Sequence, residues 1–85
     1  MRKGSKEPRY IISVAARIVG IEAHTLRYYE RIGLIRPQRL KGIRYYSDDD
    51  IRLLQHIKTL TDEVGVSPAG VDIFMRMARQ ILAMQ

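Results

Sequence analysis

The sequence predicts a mainly α fold: two short helices, a small β-hairpin, then two longer helices. Three observations predict it. Apolar residues recur at helical spacing in four stretches, each opened by a capping residue or closed by glycine. Between the second and third stretches the pattern changes to short strand-like runs around a turn glycine. The third observation is charge. Through Tyr46 there are eleven Lys and Arg against three Asp and Glu; beyond it there are four against six.

Residues 1–9 are polar and basic as far as Pro8 and Arg9, and read as a flexible tail. The folded domain is therefore expected over 10–85. Tyr10-Ile11-Ile12 leads to Ser13, an expected N-cap. Val14, Ala15, Ile18 and Val19 follow as the apolar positions of a first helix, Ser13 to Val19, and Gly20 ends it. Gly20-Ile21-Glu22 reads as a tight turn with Ile21 inward. A second helix begins near Ala23 and stops at Gly33, with Leu26 and Tyr29 sharing its buried face. On that period His24, Arg27, Tyr28 and Arg31 point the other way. Two short helices joined by a turn of about 3–4 residues containing glycine form the helix-turn-helix pattern. Its second helix is built to enter the DNA major groove.

Leu34-Ile35-Arg36-Pro37 and Ile43-Arg44-Tyr45-Tyr46 read as the two strands of a hairpin, a wing, around the loop Gln38–Gly42. Arg39 and Lys41 are expected at its tip and Arg44 on the returning strand. Period-two alternation puts Tyr46 against the third helix and Tyr45 on the outer face. Ser47 then caps a helix whose first turn carries Asp48, Asp49 and Asp50 at the positive dipole end. Ile51, Leu54, Ile57, Thr61 and Val64 form its stripe, widened by Leu53 and Leu60, until Gly65. Ser67-Pro68 repeats the start signal. Val71, Phe74, Met77 or Ala78, Ile81 and Met84 give the last helix an apolar stripe, so Phe74, Met77, Ile81 and Met84 are candidate dimerisation residues.

Composition narrows the function. At 85 residues, 46% hydrophobic and 28% charged, the chain is one globular domain. No apolar run approaches the ~18 residues of a membrane span, and the polar start lacks a signal-peptide core, so a cytoplasmic, nucleoid-associated protein is expected. The absence of cysteine excludes disulfides and thiolate metal sites. The three aspartates read as a helix cap, lacking the glycine and glutamate spacing of a calcium loop. His24 and His56 are too isolated for a metal or acid–base pair. No Ser-His-Asp set, P-loop or GxGxxG occurs, so neither an enzyme nor a cofactor is expected. The basic half points to nucleic acid, since a membrane helix would need a broad apolar face beside its bases. Arg27, Tyr28 and Arg31 suit phosphate and base contact, and His24 and Thr25 sit where a helix start meets the backbone.

The stretch "ISVAARIVGIEAHTLRYYERIGLIRPQR…GIRYYSDDDIRLLQHIKTL" resembles the DNA-binding domain of the MerR family of bacterial transcription regulators. It is most similar to the heat-shock repressors of the HspR type, through "YIISVAA" and the "AGV" that opens the fourth helix. The resemblance implies a winged helix-turn-helix with a two-stranded wing and two further helices. It implies DNA contact by Thr25, Arg27 and Tyr28 on the recognition helix, by Arg44 on the wing and by Arg17 on the first helix; Arg39, Lys41 and Tyr45 join them as wing candidates. It also implies a homodimer on inverted-repeat double-stranded DNA, repression of chaperone genes, and the chaperone DnaK as co-repressor. Gln85 falls where the family's long dimer helix would begin, so the last helix is expected either to pair directly or to continue in a longer protein. A protein-interaction adaptor and an excisionase-like architectural DNA protein are the competing readings.

Overall fold

The structure, a computed structural model, describes residues 5–83, with side chains except at 78, 79 and 81–83. Its elements are strand β1 (Tyr10–Ile11), helix α1 (Ile12–Val19), helix α2 (Ala23–Arg31), strands β2 (Gln38–Leu40) and β3 (Ile43–Tyr46), helix α3 (Asp48–Thr59) and helix α4 (Pro68–Ala83). One π-type segment, Leu60–Val64, extends α3. The helix-turn-helix, wing and two further helices expected from the sequence are all present.

The wing sheet has three strands, ordered β1-β3-β2, rather than the expected two. Tyr10 pairs with Tyr46 and Ile11 with Tyr45, both antiparallel. A two-residue strand is too short to show period-two alternation, so its partner alone defines it. The first hairpin strand also lies further along than expected. Leu34 and Ile35 are buried in the core, and the strand begins at Gln38 once the chain has passed Pro37. Arg39 therefore faces Arg44 across the ladder instead of sitting at the tip. The tip is the two-residue turn Lys41-Gly42, with φ of 52° and 79°. Positive φ at both positions is the hairpin geometry whose twist matches the flanking strands, and glycine meets it without steric cost.

Helix α1 starts one residue earlier than expected. Ile11, still extended, occupies the N-cap position, and no side chain caps the helix, so Ser13 is not its cap. Gly20 ends it at φ 84°, its N–H bonded to Ala16 O at 2.8 Å. The buried face is Ala15, Ala16 and Val19; Val14 and Ile18, expected inside, are exposed. The two alanines let α1 pack closely on α2, α3 and the sheet, and that contact fixes which side of the helix turns inward.

Leu26 and Tyr29 of α2, Tyr46 of β3, Ile51, Leu54 and Ile57 of α3 and Val71 of α4 complete the core with Leu34 and Ile35. Ile21 packs against it from the turn. Helix α3 begins with a complete capping box: Asp50 N–H donates to Ser47 Oγ at 3.1 Å, and Ser47 N–H donates to Asp50 Oδ2 at 2.9 Å. The expected stripe of α3 holds through Ile57 but not to its end. The widened π-type turn shifts the helical phase, and Val64 is exposed. In α4, Gly70 N–H donates to Ser67 Oγ at 3.1 Å, as a cap at Ser67 requires.

Val71 is the buried anchor of α4. Phe74 and Met77 stay 60% and 55% exposed. The Ile81 side chain and Met84 lie outside what is described. Ser5 to Arg9, read from sequence as part of a flexible tail, make specific contacts. Asp49 N–H donates to Ser5 O at 3.0 Å and Arg9 N–H to Tyr46 O at 3.0 Å. Gln38 Nε2 donates to Lys6 O at 2.9 Å. This segment lies along the wing and the start of α3.

Candidate nucleic-acid interface

Helix α2 is held by its inner face. Leu26 and Tyr29, three positions apart, are buried together, so the residues on the opposite side of the helix are turned to solvent. His24, Arg27 and Arg31 are exposed, while Thr25 and Tyr28 are half-buried. The Arg31 guanidinium lies 5.6 Å from the centre of the Tyr28 ring, a cation–π distance. Tyr28 in turn meets Tyr29 at 6.2 Å between ring centres, tilted by 49°. Arg31 and Tyr28 thus form one aromatic, cationic step on the helix surface, beside the buried Tyr29. The Arg27 and His24 side chains have no hydrogen bond or ion pair among the described residues. They are available to an outside partner.

The wing contributes differently. Lys41 is exposed at the turn, and Arg17 is exposed on α1. Tyr45 is half-buried on the outer sheet face, opposite the buried Tyr46. Arg39 and Arg44 both turn toward α2 and meet Glu30. Arg44 Nε–H donates to Glu30 Oε1 at 3.0 Å. Oε2 is nearer to that nitrogen, at 2.7 Å, but accepts no aligned hydrogen bond among the described residues. An Arg39 terminal nitrogen lies 3.5 Å from Oε1. The wing arginine that the sequence offers as a phosphate ligand is therefore already paired within the molecule.

Glu30 is the residue that sequence reasoning missed. Its one signal was its isolation, an acid between Arg27 and Arg31 in a half that holds only two others, Glu7 and Glu22. Its charge reaches inward too. The Tyr46 phenol is pushed above its ordinary range, first by burial and next by the negative charge of Glu30. The Tyr29 phenol is also raised by burial, an effect partly offset by the neighbouring Thr61 side chain.

A cleft of about 360 Å³ runs between the Gly33–Arg36 segment and α3. Its charged residues are Arg36 and Asp50, and Asp50 already closes the capping box. Among the described residues no three His, Cys, Asp or Glu side chains gather as a metal site would require, and no helix is long and apolar enough to cross a membrane.

The family model for MerR HTH family regulatory proteins matches residues 10–78, from β1 into α4. The chain belongs to the MerR family. A Streptomyces coelicolor relative that carries the name heat shock protein HspR is 39% identical over 79 residues, covering 92% of this chain and 52% of its own. The HTH-type transcriptional regulator YyaN of Bacillus subtilis is 41% identical over 69 residues, 79% of this chain and 49% of that one. The chain thus spans about half the length of these MerR relatives. Among solved structures, that of HiNmlR superposes with a TM-score of 0.70 at 29% identity, over 89% of this chain and 56% of that one. HiNmlR is described as a MerR family regulator lacking the sensor domain, bound to promoter DNA. The whole helix-turn-helix and wing fall inside the MerR match, so the outward row of α2 and the Glu30 cluster lie within the shared domain.

Proposed function

We propose that this MerR domain is a sequence-specific double-stranded DNA-binding transcription regulator. One observation carries the reading. The outward row of α2 presents Arg27 without a partner among the described residues, beside the Arg31–Tyr28 step and next to a wing tipped by Lys41. An α2 seated in the major groove would bring Arg27 to base edges, with His24 and Thr25 near the phosphates. Lys41, Tyr45 and Arg44 would lie along the flanking backbone, and Arg17 would approach it from α1. The basic bias of the first half supplies the attractive field.

The finer reading is a repressor of heat-shock or chaperone genes that acts in the cytoplasm, at the nucleoid, as a homodimer on an inverted repeat. Similarity to the S. coelicolor protein named HspR supports the heat-shock assignment. The exposed Phe74 and Met77 on α4 support a protein contact there, and a second copy of the chain fits the symmetry of an inverted repeat. A DnaK-type chaperone as co-repressor belongs to the same reading.

Binding to inverted-repeat promoter duplexes against random duplex, across salt concentration and with stoichiometry, tests this. Tight, salt-sensitive binding of two copies to one duplex is the expected result. Equal, weak binding to every duplex would remove the specific regulator, and salt-insensitive or absent binding would favour an adaptor.

A further inference from the structure

Arg39 and Arg44 are direct cross-strand partners. Two like charges so placed repel and destabilise a strand pair unless something neutralises them. Glu30 does so from a different element, the recognition helix. Its carboxylate is only 21% exposed and Arg44 is 32% exposed, so the pair is partly shielded from solvent and salt. The cluster therefore ties the wing to the reading helix. It also lowers the charge these two arginines present from two to one.

From this we infer that Glu30 is a positioning residue that sets DNA specificity, by holding the wing arginines against α2 and limiting their charge toward phosphate. The inference rests on the DNA-binding reading above. Phosphate contacts add affinity without regard to sequence. A wing with two unopposed arginines would grip any duplex. With Glu30 between them, a phosphate must compete with a carboxylate for the same guanidinium donors. That competition weakens binding to every sequence alike, and base contacts from α2 offset it only on the right one. The ion pair also fixes the spacing between wing and helix, so phosphate contact and base contact occur together or not at all.

The test is Glu30→Gln in the full 85-residue chain. The amide keeps the shape and one acceptor but removes the charge. Two duplexes serve as probes: one selected by the unmodified chain from a random pool, and an unselected random-sequence duplex of equal length. Both are titrated across salt, and folding is followed by circular dichroism. The expected result is a folded variant that binds random duplex more tightly, with a log–log salt slope steeper by about one. Its preference for the selected duplex falls several-fold. Unchanged slope and preference would overturn the proposal, as would equal weakening on both duplexes at an unchanged slope, which is the result of a purely structural role. If Glu30→Gln does not fold, Glu30→Asp decides, since it keeps the charge but withdraws it by one methylene. A smaller shift in the same direction supports the proposal, and no shift overturns it. Failure of the unmodified chain to bind either duplex would sink the DNA reading itself and is visible before any variant is made.

Discussion

The Tyr10 hydroxyl donates a 2.7 Å hydrogen bond to Asp48 Oδ1, joining β1 to the opening turn of α3 across 38 positions. Arg9 approaches the other oxygen of the same carboxylate at 3.3 Å. The guanidinium of Arg9 is held above its ordinary range by the adjacent Tyr10 side chain first and by the charge of Asp48 next. Asp48 is therefore read twice, by adjacent residues of the N-terminal segment.

Tyr10→Phe removes that bond and leaves the ring in place. It is expected to lower stability by about 1 kcal/mol, the value of an ordinary hydrogen bond, because partial exposure of Asp48 discounts the larger value of a charged acceptor. Urea unfolding measures it through the midpoint at constant slope. A variant as stable as the original would show that water replaces the bond without loss.

Two serines separate an expected cap from an observed one. Ser47→Ala removes the hydroxyl that accepts from the Asp50 N–H, leaving the backbone half of the capping box, and should cost about 0.5–2 kcal/mol. Ser13→Ala, at a position that caps nothing, should stay within about 0.5 kcal/mol. Equal losses at both positions would contradict the start of α1 described above.

Arg27→Ala should weaken binding to the selected duplex by about 1–3 kcal/mol and relax preference at one base position, if Arg27 reads a base. Titration of single-base variants of that duplex shows which. Uniform loss across all of them would assign Arg27 to the phosphates.

The Tyr46 hydroxyl is buried and has no hydrogen-bond partner among the described residues. Tyr46→Phe is therefore expected to leave stability at neutral pH unchanged or raise it, because an unsatisfied polar atom is removed. The alkaline limb should change as well. The Tyr46 phenol has a raised folded-state pKa, so the native state keeps its proton where the unfolded chain loses it. Its contribution is complete below the unfolded value near 10 and declines as pH rises through the folded value. Stability measured from pH 9 upward should fall less steeply in the Phe variant. An identical alkaline decline would mean that Tyr46 takes no part in it.

The sequence made legible whatever depends on local pattern. Ser47 with Asp50, Ser67 ahead of Pro68, and the inward pair Leu26 and Tyr29 all follow from spacing within one or two turns. Contacts between distant segments were hidden. β1 exists because Tyr46 and Tyr45 lie beside it. Which side of α1 turns inward depends on the close packing of two alanines, and Val14 and Ile18 look no different in sequence from core residues. The bases of the site were visible as residues, and their availability was not. Arg27 and Arg44 look alike on the page, yet Arg44 meets a carboxylate and Arg27 meets none among the described residues.

The pairing of Tyr10 with Tyr46 has a kinetic consequence. That contact encloses α1, α2 and the hairpin within one loop of the chain. Closing a loop of this length carries an entropic cost that grows only slowly with its size, but it must be met before the pairing can stabilise anything. The reading helix and the wing thus sit inside the segment that this pairing closes. A chain still searching for that closure offers no complete basic surface, and one that has closed it offers helix and wing together. Such an arrangement favours an all-or-none transition, in which a half-formed reader, able to cling to nucleic acid without discriminating, is seldom populated.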